Sequence, residues 1–175
     1  MNLTDSELLL LGLVAEIPRH GYELEQIIET RGMREWTQIG FSSIYFVLGK
    51  LEKAGLVVAE VPAGAKARKA FSITESGREV LLEQATAALA TYRPTFSSLL
   101  LGMVHWPALS RGSALDALAA RLASVDAELA RLEHLRRQRQ PMPDHVEVLF
   151  DFLAGQLSAE RTWINATVDY MRSKP

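Results

Sequence analysis

Around Gly55 the spacing of apolar residues changes from a period of about 3.6 to a period of 2, and this change constrains the chain more than any other feature. Before it, FSSIYFVLGKLEK places Ile44, Val47, Leu48 and Leu51 at i, i+3, i+4 and i+7, the stripe of an amphipathic helix seated on a core. After it, LVVAEV and AFSIT read as two strands joined by PAGAKARK, a turn too long for a tight hairpin and strongly basic. Two more helical stretches come first. Thr4 and Glu7 stand in a capping-box arrangement ahead of Leu8, Leu9 and Leu11, and that helix ends near Pro18. A second helix begins about His20 in HGYELEQIIETRG, with Leu24, Ile27 and Ile28 inward and Gly32 closing it. The third is capped by Ser42 or Ser43 and stopped by Gly55.

Three helices followed by a two-stranded wing predict a winged helix-turn-helix. In that arrangement the third helix enters the DNA major groove and the wing tip lies along the backbone or minor groove. The outward face of the third helix agrees. At about 100° per residue, Tyr45, Phe46, Gly49, Lys50 and Lys53 lie away from the apolar stripe, two aromatics and two cations with no acid among them. Phe46 reads equally well as an exposed ring or as one packed on a neighbouring helix. The formal net charge of −2 argues against a polyanionic partner until its distribution is considered. Asp5, Glu7, Glu16, Glu23, Glu25, Glu29 and Glu35 all precede Phe41, whereas Phe41 to Arg78 holds six cations and three acids.

Several classes are excluded. Cysteine is absent, which removes disulfide frameworks, thiolate nucleophiles and cysteine zinc sites and fits a reducing compartment. The apolar run of MNLTDSELLLLGLVAE follows acids rather than a basic segment, so it reads as a folded helix, and no other stretch approaches a membrane span. A cytoplasmic address follows as the expectation. The four histidines, His20, His105, His134 and His145, share no metal-ligand spacing, and no nucleophile elbow, Walker loop, zincin or dinucleotide motif is present. Neither catalysis, a metal nor a cofactor is expected.

Three motifs occur in one order: HGYEL from His20 to Leu24, S-x-Y-x-x-L-x-K-L-E-x-x-G-L from Ser43 to Leu56, and RKAFSITESGRE from Arg68 to Glu79. Together they resemble the PadR family of bacterial transcriptional regulators over about the first 80 residues. The resemblance implies that Ser43, Tyr45 and Lys50 meet DNA from the recognition helix, the hydroxyls on phosphates and the lysine on phosphate or a guanine edge. It also implies that Lys66, Arg68 and Lys69 serve the wing. His20 and Tyr22 read as structural, holding the turn between the first two helices.

Beyond the winged helix the chain becomes rich in alanine and leucine. A helix from Glu75 to Tyr92 precedes Pro94, and a short apolar one in TFSSLLLGMVHW ends at Pro107. A long helix from Ser113 to Arg139 carries Leu115, Leu118, Leu122, Val125, Leu129 and Leu132 at spacings of 3, 4, 3, 4 and 3. This is a heptad seam in need of a partner helix. The last helix, Asp144 to Arg172, turns Val146, Leu149, Phe150, Leu153, Leu157, Ile164, Val168 and Met171 to one side. The seam packs on this helix, on a second chain, or on both.

The expected organisation is mainly α: a winged-helix DNA-binding domain at 1–92 and an all-α, antiparallel, coiled-coil-like domain at 93–175. The second part resembles the helical dimerisation domain of longer PadR-like regulators. Leu115, Leu118, Leu122, Val125, Leu129, Trp163 and Ile164 are its expected dimerisation residues. A homodimer reading two half-sites about 34 Å apart on duplex DNA gains affinity from tethering. Phe96, Trp106 and Trp163 either fill the core or meet a small aromatic or apolar effector. Repression is what the resemblance implies. A protein-protein interaction adaptor that uses the same faces without sequence-specific DNA binding is the alternative.

Overall fold

Thr4 starts the first helix with a reciprocal pair of hydrogen bonds: the Glu7 amide donates to Thr4 Oγ1 at 3.3 Å, and the Thr4 amide donates to Glu7 Oε2 at 2.8 Å. The computed structural model describes residues 2–35, 37, 39–60, 69–94 and 96–173. It divides into two units, Met1–Pro94 and Thr95–Pro175.

The first unit contains α1 (Asp5–Glu16), β1 (Arg19–His20), α2 (Gly21–Thr30), α3 (Phe41–Lys53), β2 (Val57–Glu60), β3 (Ala70–Ile73) and α4 (Glu75–Ala90), with a 3-10 turn at Met33–Glu35. Its core is the inner faces of α1 to α3: Leu10, Leu11, Val14, Leu24, Ile28, Ile44, Leu48 and Leu51 are fully buried. The expected stripe of α3 is therefore the buried one, with Val47 among it. Two expectations are corrected. The sheet has three antiparallel strands in the order β1-β3-β2, because Arg19 and His20 pair with Phe71 and Ala70. The cap of α3 is Gly40 rather than Ser42 or Ser43, in extended backbone with no side-chain hydrogen bond. Gly55, with φ of 72°, turns the chain from α3 into β2, a left-handed conformation that glycine adopts at no steric cost.

The TESGR segment ties α4 to that turn. Thr74 Oγ1 accepts the Gly77 amide at 3.0 Å as the helix cap, and the Thr74 amide donates to the Leu56 carbonyl at 3.0 Å. At the other end, Glu16 joins α1 to α2: its Oε1 and Oε2 take Arg31 Nη1 and Nη2 at 2.5 and 2.8 Å, and Oε2 takes Arg19 Nη2 at 2.6 Å. The Arg31 hydrogen bonds hold the Glu16 carboxyl below its ordinary value of 4.5. A carboxylate lowered by folding stabilises above its unfolded value and loses that contribution as pH falls through the folded one. Glu16→Gln is thus expected to lower the urea midpoint near pH 7, by at most about 1 kcal/mol for so exposed a pair, with the gap to wild type closing near pH 3. A gap independent of pH would assign the loss to packing.

The second unit contains α5 (Ser98–His105), a 3-10 turn (Trp106–Ala108), α6 (Arg111–Gln138) and α7 (Asp144–Ser173). Ser97 and Ser110 cap α5 and α6 through the Leu99 and Ser113 amides. Helices α6 and α7 run antiparallel, as their cross-links show: Arg111 donates to the Met171 carbonyl, Arg121 meets Glu160 at 2.5 Å, and Arg136 meets Glu147 at 2.6 Å. The heptad seam faces α7 of the same chain, around Ile164, Leu157, Val168 and Met171. It is lopsided. The set spaced by seven at Leu118, Val125 and Leu132 is buried, whereas Leu115, Leu122 and Leu129 are half-buried. Helix α5, by contrast, has no buried residue although Leu99, Leu100, Leu101, Met103 and Val104 make most of it apolar.

Candidate nucleic-acid interface

The outer face of α3 lies opposite its buried stripe, and Tyr45, Phe46 and Lys50 on it each meet a neighbour in the first unit. Tyr45 is 56 % exposed, but one side of its ring lies on Gly21 at the start of α2, where a Cβ would come within 2.5 Å of Cε1. Glycine in the HGYEL segment is therefore the seat of the tyrosine ring. Its hydroxyl has no hydrogen-bond partner among the described residues. Beside it, His20 and Tyr22 stack with ring centroids 5.7 Å apart, and His20 Nδ1 lies 3.0 Å from the Lys69 carbonyl. This contact joins the start of α2 to Lys69 beside β3, a structural role for His20 other than the expected one of holding the turn between the first two helices.

The cations differ among themselves. Lys53 is exposed and makes no ion pair with a described residue. Lys69 leaves the wing 3.9 Å from Glu52, a long and solvent-screened pair that a phosphate can replace. Lys50 is engaged twice, by Glu7 Oε1 at 3.2 Å and by the Phe46 ring, whose centroid is 5.3 Å from Nζ. The ring of Phe46 is thus exposed and carries the lysine, which resolves its two readings. Glu7 is held below 4.5, first by the Thr4 amide and then, against the opposing effect of burial, by the Thr4 hydroxyl and Lys50.

Ser43 is half-buried in the first turn of α3, its amide on the Gly40 carbonyl at 3.1 Å. The expected wing residues Lys66 and Arg68 lie outside the described residues. Of the expected dimerisation residues, Leu118, Val125 and Ile164 are buried between α6 and α7 of one chain, while Leu115, Leu122, Leu129 and Trp163 keep part of their surface. Sequence reasoning missed Gly21 and Glu7. Nothing in a single sequence relates Glu7 to a lysine 43 positions on. The pairing of Phe46 with Lys50 was within reach, since i and i+4 face each other on a helix.

An exposed aromatic and basic face on the third helix, with a sheet behind it, defines a winged-helix protein of the kind that reads duplex DNA. Residues 10–83 match the transcriptional regulator PadR-like family. The match lies within the N-terminal unit. No curated protein matches the sequence. Among solved structures, the chain is similar to Bacillus subtilis PadR in complex with operator DNA, at 19 % identity over 94 % of this chain and 98 % of that one, with a TM-score of 0.76. The same protein in complex with p-coumaric acid gives 19 %, 95 %, 98 % and 0.77. The PadR-like regulator BC1756 of Bacillus cereus gives 20 % identity over 98 % of this chain and all of that one, with a TM-score of 0.68. At these identities the likeness is one of fold.

Proposed function

We propose that the chain is a homodimeric repressor that binds a two-half-site operator through α3 and the wing, and is released by a small aromatic or apolar effector. The exposed face of α3 carries this reading: Tyr45 offers an unpartnered hydroxyl from a ring fixed on Gly21, with the cation of Lys53 along the same helix. Ser43, Lys50, Lys66, Arg68 and Lys69 complete the contact set, the serine, tyrosine and wing residues positioning phosphates. The N-terminal unit binds DNA and the helical unit joins two copies. The apolar surface of α5 and the half-buried seam residues Leu115, Leu122 and Leu129 support that division, since each leaves apolar area for a second chain. A cavity of about 250 Å³ beside α5, lined by Leu99, Met103, Trp106, Leu118, Arg121 and Trp163, suits a small planar apolar molecule. The B. subtilis relative was solved with both operator DNA and p-coumaric acid, which supports the same pairing of activities here. Regulation of this kind needs binding alone and no chemical step, and it belongs in the cytoplasm, where the DNA is. No helix among the described residues is long and apolar enough to cross a membrane.

Selection of bound fragments from the source genome, followed by titration against salt, tests the reading. Affinity for a selected duplex is expected to fall steeply with salt, with a slope of several units in log-log form. Tyr45→Phe should keep the melting temperature and lose roughly 1 to 2 kcal/mol of binding, the size of a hydrogen bond to a charged group. A flat salt response overturns the proposal in favour of an interaction adaptor, and a fall in melting temperature with unchanged affinity returns Tyr45 to a packing role.

A further inference from the structure

Glu7 lies on α1, outside every DNA-contacting element, yet it holds a cation of the recognition helix. We infer that Glu7 is a specificity-determining residue, which withholds Lys50 from non-specific phosphate contact by keeping its ammonium group on α1. The inference rests on the proposed DNA-binding role and deepens it. Two features make Glu7 suited to this. Its carboxylate is fixed before the lysine arrives, because Oε2 accepts the Thr4 amide at 2.8 Å and the Thr4 hydroxyl at 2.9 Å, leaving Oε1 for Lys50 at 3.2 Å. It is also sheltered, the Glu7 side chain being 12 % exposed against 52 % for Lys50. The pair is therefore less screened than a surface ion pair, and its acidic member does not move when the lysine leaves.

Lys50 meets a second restraint on its other side. The Phe46 ring, one helical turn back, takes the ammonium over its face at 5.3 Å, so that the four-carbon stem is held between ring and carboxylate. A phosphate on an arbitrary duplex must displace both contacts to reach this lysine, whereas Lys53 on the same helix has no such competitor among the described residues. Non-specific affinity arises almost wholly from such cation-phosphate contacts. Removing one cation from that pool lowers the background against which an operator is read, and specificity is a ratio to that background.

A double-mutant cycle on a non-operator duplex tests this, with the full-length protein throughout. Glu7→Gln keeps the capping box, since glutamine serves at that position as glutamate does, so the fold is preserved. It should bind the non-operator duplex on the order of three- to tenfold more tightly, with the salt slope steeper by about 0.9 for each subunit on DNA. Lys50→Met, at a residue of the proposed contact set, should weaken operator binding, and on the non-operator duplex it should flatten the salt slope far less in the otherwise wild-type protein than in the Glu7→Gln variant. In the Glu7→Gln background the same change should abolish the gain. Asp5→Asn, the same loss of charge in the same helical turn, controls for charge alone and should leave the slope as it is. Additivity in the cycle, or a slope that Lys50→Met flattens equally in both backgrounds, overturns the inference and leaves the regulator reading intact. Absence of salt-dependent binding to any duplex overturns that reading, and the role of Glu7 with it.

Discussion

Replacing Gly77 with alanine is expected to destabilise the N-terminal unit by roughly 2 to 4 kcal/mol, although helix propensity alone favours alanine by about 1 kcal/mol. A Cβ at this position would stand 2.1 Å from the Leu56 carbonyl oxygen and 2.8 Å from Ile73 Cγ1. Neither neighbour has room to yield. The Leu56 carbonyl accepts both the amide and the hydroxyl of Thr74, at 3.0 and 3.1 Å, and Leu56 is itself buried at the start of β2. Moving it breaks the cap of α4 and the β2-β3 register together. Gly49 makes the opposite case on the same protein: it is exposed within α3, and a Cβ there meets nothing within 4 Å. Gly49→Ala should therefore stabilise by about 0.5 to 1 kcal/mol. Thermal unfolding with hydrogen exchange at Val57–Glu60 and Ala70–Ile73 measures both, the first as a midpoint lower by on the order of 10 °C or more. A neutral Gly77→Ala would mean that β2 shifts freely against α4.

These two glycines show which parts of the fold were legible in the sequence. The three helices and the strands β2 and β3 were readable because each has enough residues to display a period, and the turn at Gly55 because glycine marks it. Strand β1 was not, since Arg19 and His20 are too few for alternation and pair only because α2 starts where it does. The cap of α3 was misread because Gly40 supplies extended backbone and no side-chain oxygen, whereas serines follow directly. In the site, the outward face of α3 followed from helical winding. The state of each charge on it did not, because the partners of Lys50 and Lys69 come from α1 and from the far end of α3, and pairings across that distance leave no local trace. The heptad seam was visible as a repeat of alternating 3 and 4. That its two halves differ in burial depends on the angle at which α7 crosses it, which periodicity does not encode.

That difference selects the residues with the largest expected effect in the helical unit. Leu118 and Val125 lie one heptad apart, 8 and 6 % exposed, against Ile164, which is fully buried. Lysine at both places two charges in an apolar seam, at an expected cost of several kcal/mol, more than a two-helix hairpin of this size retains. The α6-α7 hairpin should open, with loss of helical circular dichroism and of fixed tryptophan environments at Trp106 and Trp163. The N-terminal unit should stay folded, because its core of Leu10, Leu24, Ile28, Ile44, Leu48 and Leu51 contains none of these residues. Under the proposed function the variant sediments as a monomer, and binding to a two-half-site operator falls towards the non-specific level, since each winged helix loses the gain from its tethered partner. Leu101→Lys with Val104→Lys separates folding from assembly: both residues are exposed on α5, so the hairpin should keep its helicity. If the α5 surface joins two copies, this second variant is monomeric while fully folded, and its operator affinity drops as far as that of the first. A second variant that stays dimeric moves the interface to the half-buried seam residues Leu115, Leu122 and Leu129. A wild type already monomeric at micromolar concentration overturns the two-fold arrangement itself.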